Sequence, residues 1–215
     1  MVKESVRYFD PDWYDVLPLD SRLARDTVER EHYLHRKPTV SFAYGLFDGR
    51  KLVGVVIFGT PPSRHLQVSA CPSDPALVLE LNRLWVDDSE GKNAESWFVS
   101  RALSALPPRI VVSYADTAHQ HAGYVYRALN FDYAGWTDMD RKSPRVDYVT
   151  DGKHSRATFR SGAGAKAVRV PRKPKARYWT VTGDRRQKKA MRAVCAWPSL
   201  SWKEKPVPFE DGFDA

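Results

Sequence analysis

The chain has 215 residues, 42% of them apolar, which suits one full hydrophobic core and argues against a disordered chain. No apolar run approaches the ~20 residues of a membrane helix, the first ten residues lack the apolar centre of a signal peptide, and two cysteines, Cys71 and Cys195, fit a reducing cytoplasm better than a disulfide framework or a zinc finger. The net charge of +8 is unevenly spread: residues 141–205 hold 19 basic and 4 acidic side chains and the remainder 15 and 22, the footprint expected of a protein that meets a polyanion.

Residues 8–19 mix aromatics with prolines and read as an irregular arm packed on a core. Asp20-Ser21 supplies an N-cap for a helix running to about Arg36, with Pro38 as its stop. Residues 39–47 read as a strand, Asp48-Gly49 as a hairpin turn, and Lys51 to Gly59 as the returning strand, whose apolar run suggests burial on both faces. Residues 60–76 contain four prolines and read as a loop. Leu77 to Val86 alternates apolar and polar side chains around Glu80, Asn82 and Arg83, as a strand does, and this alternation puts Glu80 and Arg83 on opposite faces.

A short loop over residues 87–92 leads to a helix from Asn93 to Leu106, ended by Pro107-Pro108. Arg109 to Ala115 is a buried strand, His121 to Leu129 a short helix, and Phe131 to Thr137 a further strand. Beyond Asp138 the composition changes. Residues 150–176 are rich in Gly, Ala, Lys and Arg and read as mobile without a partner. Arg177 to Thr182 is a strand, Gly183-Asp184 a turn, Arg185 to Cys195 a basic helix, and the proline-bearing tail is extended. The chain thus divides into an N-terminal arm (1–19), an α/β core (20–140) and a basic C-terminal part of the same domain (141–215).

Hairpin strands beside strand–helix–strand units give a mixed sheet flanked by helices. Over roughly residues 20–137 this order resembles the GNAT superfamily of N-acyltransferases. The resemblance implies an α/β fold with a splayed mixed sheet and acetyl-CoA as cofactor. The pantetheine arm would lie along Leu84, Trp85 and Val86, and the pyrophosphate at Gly91, Lys92, Asn93 and Ser96, where a helix offers unpaired N–H groups. The family's loop motif, Gln/Arg-x-x-Gly-x-Gly/Ala, meets Asp88, Gly91 and Asn93 here, so an acidic residue stands at its first position. The segment Val125-Tyr126-Arg127-Ala128-Leu129-Asn130-Phe131 resembles the family's Leu-Tyr-x-x-Leu-Gly-Phe, whose tyrosine protonates the departing thiolate. That makes Tyr126 the candidate general acid.

Five separated segments resemble, more closely, the Mom family of phage DNA-modification proteins, which are divergent GNAT folds. They are Glu31-His32-Tyr33, Glu80 to Val86, Asn93 to Phe98, Ser113-Tyr114-Ala115-Asp116 and Gly123 to Asn130. The resemblance implies a transferase that converts the N6 amine of adenine in DNA to a carbamoylmethyl form and protects DNA from restriction. By the same resemblance His32, Tyr33 and Asp116 form a metal site for Fe(II) or another divalent ion, Arg83 and Ser96 touch the cofactor, and Tyr126, Asp116 and Tyr33 are the catalytic set. His119 and His121 lie close enough in sequence to add a ligand. The residues themselves also allow a half-buried helix histidine at 32 and a helix cap at 116.

The N6 amine is paired and stacked in a duplex, so double-stranded DNA would have to present an extruded adenine. Tyr44, Trp136 and Tyr148 are candidate stacking faces. Lys153, Arg156, Arg160, Arg172, Lys173, Lys175, Arg177, Arg185 and Arg186 are candidate phosphate contacts. Two other readings stay open: an acetyltransferase of a small amine or protein, and a DNA-binding protein that keeps the fold without catalysis. Oligomeric state is also open, a dimer being one option.

Overall fold

The computed structural model describes residues 9–116, 123–138, 145–149 and 168–201. Its strands are β1 (Tyr14–Pro18), β2 (Phe42–Asp48), β3 (Lys51–Gly59), β4 (Val78–Val86), β5 (Ile110–Asp116), β6 (Asp132–Trp136), β7 (Val146–Val149), β8 (Val168–Pro171) and β9 (Lys175–Val181). Its helices are α1 (Ser21–Glu31), α2 (Arg64–Ala70), α3 (Ala94–Ala105), α4 (Tyr124–Ala128) and α5 (Arg185–Val194). Seven strands form one sheet in the order β1-β2-β3-β4-β5-β9-β6, and β7 and β8 pair separately. Every neighbouring pair in the large sheet is antiparallel except β4 and β5.

Local chemistry sets these boundaries. Asp20 accepts from the N–H groups of Arg22 and Leu23 at 2.9 and 3.0 Å, which satisfies two of the donors at the start of α1. The helix ends at Glu31, earlier than the sequence suggests, because His32 is extended and His35 adopts a φ of 41°. α5 opens with a reciprocal pair in which Asp184 accepts from Gln187 N–H and Gln187 accepts from Asp184 N–H, both at 2.8 Å.

Three elements depart from the sequence reading. The arm contributes β1, which pairs with β2 at the edge of the sheet, where Pro18 removes no needed donor. The proline-rich loop contains α2, whose Ala70 is buried and whose Leu66 packs beside it. The prolines at 61, 62, 72 and 75 all lie outside that helix. β7 and β8 form a small hairpin in the basic region, whose residues 150–167 lie outside the described residues. The basic part also enters the sheet itself, because β9 lies between β5 and β6.

The sheet is covered on both faces. α3 and α4 pack on one face against Leu81, Leu84 and Val86 of β4. α1 packs on the other face against Trp85, and α2 and α5 against Val78, Ile110 and Val112. β3 is buried from both sides, with Val53, Val55, Val56, Ile57 and Phe58 fully enclosed.

Two features of β4 prepare a site. First, β4 and β5 are in register only from Val78–Glu80 with Ile110–Val112, and then part. Second, Ile57 pairs with Arg83 and Phe58 with Leu81, so Asn82 is an extra residue in a bulge. The bulge resets the alternation: Leu81 and Leu84 both face α3, and Glu80 and Arg83 both face the other side. The opposite-face placement read from the sequence is therefore corrected by one inserted residue.

Gly59 permits this geometry. A Cβ there would stand 2.2 Å from the Thr39 carbonyl oxygen and 2.7 Å from Asn82 Nδ2, which itself donates to that carbonyl at 3.0 Å. Gly59→Ala should therefore cost about 2–3 kcal/mol, the scale of overpacking against rigid backbone. Denaturant unfolding of the purified variant measures this, and an unchanged midpoint would refute the packing at the bulge.

Candidate active site at the parting of two strands

Where β4 and β5 separate, backbone groups that would pair with each other face a cavity of about 330 Å³. Leu81, Leu84, Glu95, Val125 and Tyr126 line it from the α3–α4 side. His32, Tyr33, Glu80, Asn82, Arg83, Tyr114, Asp116 and Lys175 line the rest.

Ser113 bridges the gap. Its Oγ lies 2.9 Å from the Leu81 carbonyl oxygen and 2.8 Å from the Tyr126 hydroxyl. A carbonyl only accepts, so the single Ser113 proton goes to Leu81 and the Tyr126 hydroxyl donates to Ser113 Oγ. Burial pushes the Tyr126 phenol up to about 12, against the opposing pull of the Ser113 bond, so it carries its proton at neutral pH. Its ring stacks on Tyr178 at 4.8 Å between centroids. Tyr178 in turn lies against Gly123, which has a φ of +73° and where a Cβ would stand 2.6 Å from the Tyr178 hydroxyl, leaving no room for a side chain. Ser113→Ala should leave the Leu81 carbonyl without its partner, destabilise by about 1–3 kcal/mol, and raise the Tyr126 phenol further. A thermal melt together with an ultraviolet titration of tyrosine reads both effects.

His32 is buried, Tyr33 stacks on it at 4.3 Å, and both reach the same cavity as Asp116. Burial and the nearby Asp116 charge raise the Tyr33 phenol, with Arg83 opposing them. The resemblance thus names residues that the fold does bring together. Their donor chemistry does not fit a divalent metal. His32 Nδ1 accepts the Leu34 N–H at 3.1 Å, which places the ring proton on Nε2 and leaves no lone pair pointing outward. Asp116 is engaged by Lys175 Nζ at 2.5 Å, a cation already in place. Among the described residues no three His, Cys, Asp or Glu side chains gather as a ligand set, and His119 and His121 lie outside them. Here Asp116 and His32 act as charge partner and hydrogen-bonding group.

Three polar atoms on the bulged strand are buried without a hydrogen-bond partner among the described residues: Glu80 Oε2, Asn82 Oδ1 and Arg83 Nε. Burial pushes the Glu80 carboxyl up to about 7, although Arg83 and Lys175 both pull it down. Glu80, Asn82 and Tyr114 are cavity residues that sequence reasoning did not assign, and Lys175, expected as a phosphate contact, lines the cavity. The visible signal was a carboxylate, an amide and a guanidinium inside an otherwise apolar strand.

The expected cofactor residues are divided. Arg83 lies beside Glu80 and Tyr33 on the face away from α3, and Trp85 packs against α1. Leu84 and Val86 point to the α3 side. Gly91, Lys92 and Asn93 lead into α3; Asn93 takes a φ of 78° and gives the helix no side-chain cap. Ser96 Oγ donates back to the Asn93 carbonyl oxygen at 3.0 Å.

The expected DNA contacts divide as well. Lys153, Arg156 and Arg160 lie outside the described residues. Arg172 is committed to both oxygens of Asp147, Lys175 to Asp116, and Arg177 sits 5.3 Å over the Trp197 ring. Lys173, Arg185 and Arg186 are exposed, and Lys188 and Lys189 extend the same exposed helix, α5. Of the candidate stacking residues, Tyr44 and Trp136 are packed in the core clusters and Tyr148 is exposed.

The model of the Mom protein family matches residues 14–190, and the chain belongs to that family. It is 38% identical over 122 residues to a protein named methylcarbamoylase mom from Escherichia phage Mu. That match takes in 53% of this chain and spans about half (50%) of the relative's length. Among solved structures, it is similar to the ribosomal-protein-S5-alanine acetyltransferase from Vibrio fischeri at 12% identity and a TM-score of 0.46, covering 82% of this chain and 97% of that one. An N-acetyltransferase from Staphylococcus aureus Mu50 is similar at 14% identity and a TM-score of 0.45, over 78% and 98%.

Proposed function

We propose that this member of the Mom protein family is a transferase that modifies the N6 amine of adenine in DNA, using an acyl-CoA donor, and so shields DNA from restriction. The observation that carries the reading is the cavity between β4 and β5, which joins a proton-bearing Tyr126 on one face of the sheet to a set of buried polar groups on the other.

The two faces suggest two substrates. On the α3 face, Leu84 and Val86 run toward the uncapped start of α3, where backbone N–H groups and the helix dipole favour a pyrophosphate. Tyr126 lines the cavity from this face, and its hydroxyl, turned from Ser113 toward the cavity, would supply the proton that a departing thiolate needs. On the other face, Glu80, Asn82, Arg83, Asp116 and Lys175 surround the space an extruded base would enter. The basic helix α5 packs on that same face, where it would meet the phosphate backbone. Isothermal calorimetry should show acetyl-CoA binding, weakened by about 1 kcal/mol in Ser96→Ala; no heat at millimolar acetyl-CoA would remove the acyl-CoA donor. Plasmid DNA from cells expressing the protein should resist restriction enzymes whose sites contain adenine, and complete digestion would contradict the reading.

A further inference from the structure

The strand bulge at Asn82 has a chemical result: it brings two buried hydrogen-bonding atoms, Glu80 Oε2 and Asn82 Oδ1, to the lining of one cavity with no partner for either among the described residues. Buried polar atoms of native proteins are nearly always satisfied, and polar groups left open on the lining of a cavity are available to a ligand that enters it. Asn82 is not adaptable here. Its Nδ2 is held by the Thr39 carbonyl oxygen at 3.0 Å, in a space closed by Gly59, so the amide cannot flip and Oδ1 presents an acceptor. Glu80 belongs to the last paired step before β4 and β5 part, so its carboxyl stands at the floor of the cleft.

We propose that Glu80 and Asn82 form the base-reading edge of this site, with Glu80 as a protonated carboxyl donating to a purine ring nitrogen and Asn82 Oδ1 accepting from the adjacent exocyclic amine. This rests on the reading of adenine as the substrate. Adenine offers an acceptor ring nitrogen beside an amine donor on both flanks of N6; guanine and thymine carry a carbonyl oxygen where that amine stands and so offer Asn82 Oδ1 no donor. The pairing requires a neutral Glu80. The charged and titratable groups facing it are Arg83 on its own strand, Tyr114 on β5, Tyr126 on α4 and Lys175 on β9. Both cations favour the carboxylate, and burial outweighs them, leaving the group half-protonated near pH 7. Below that pH the donor is present; above it the proton is lost, and a carboxylate repels a ring nitrogen lone pair.

The proposal separates a hydrogen-bond donor from a proton acceptor at the same residue. Glu80→Gln keeps a neutral donor and should retain modification within a fewfold of wild type. Glu80→Ala and Asn82→Ala should each weaken binding of an adenine-containing oligonucleotide about tenfold. Wild-type activity should fall as pH rises through about 7, and Glu80→Gln should lose that fall. Loss of activity in Glu80→Gln equal to that in Glu80→Ala, or wild-type activity that rises through pH 7, would overturn the proposal and make Glu80 a base. The pH profile needs no variant, so it decides even where a substitution unfolds the protein. Oligonucleotides carrying 1-deazaadenine or 7-deazaadenine at the target give a second readout: one of them should bind wild type about tenfold more weakly and bind Glu80→Ala with no further loss. Equal binding of both analogues and adenine by wild type would also overturn it. If wild type modifies no DNA, the reading of the substrate fails instead, whatever these variants bind.

Discussion

Tyr126→Phe is expected to reduce adenine modification about a hundredfold or more, the scale set by removing a positioned general acid. The substitution is a clean test because of the direction of the hydrogen bonds around it. Tyr126 donates to Ser113, and Ser113 donates to Leu81, so removing the phenol oxygen leaves the bridge between β4 and β5 intact. The ring continues to stack on Tyr178 and to touch Phe131. Stability should therefore change by about 1 kcal/mol or less, with DNA binding unaltered. A variant that keeps half of wild-type activity would remove Tyr126 from the chemistry and leave it as packing.

The second large effect concerns DNA affinity. Replacing Arg185, Arg186, Lys188 and Lys189 together by Ala should weaken DNA binding for all sequences alike and flatten its salt dependence. If each side chain meets one phosphate, the log–log slope should become shallower by about 3–4. The helix should survive, since alanine is the best helix former and the Asp184–Gln187 cap stays in place. These four are better probes than Arg172 and Lys175, whose loss would strand Asp147 and Asp116 without their cations. Filter binding or fluorescence anisotropy across a salt series reads the slope. An unchanged affinity and slope would assign the α5 charge to a solvated face.

Local features of the fold were legible in the sequence, and pairings between distant segments were not. Asp20 caps α1, Gly49 turns the β2–β3 hairpin with a φ of +56°, and the run from Val53 to Phe58 is enclosed on both faces, all as nearest-neighbour chemistry dictates. The bulge at Asn82 could not be read, because it depends on the register of β4 against Ile57 and Phe58. Without it, a strict alternation separates Glu80 from Arg83 and hides the polar edge of the cavity. β9 was recognised as a strand, but its place between β5 and β6 is a long-range choice, and it alone brings Lys175 to Asp116. That contact is also why His32, Tyr33 and Asp116 gather as the resemblance implies without assembling a metal site from the described residues.

Nucleoside mass spectrometry of DNA from cells expressing the protein reads whether adenine in DNA receives the transferred group. A heavier deoxyadenosine species should be present with wild type, retained in Glu80→Gln, and lost in Tyr126→Phe, with the other three nucleosides unchanged. Unmodified deoxyadenosine in cells that contain folded, DNA-binding wild-type protein would contradict it.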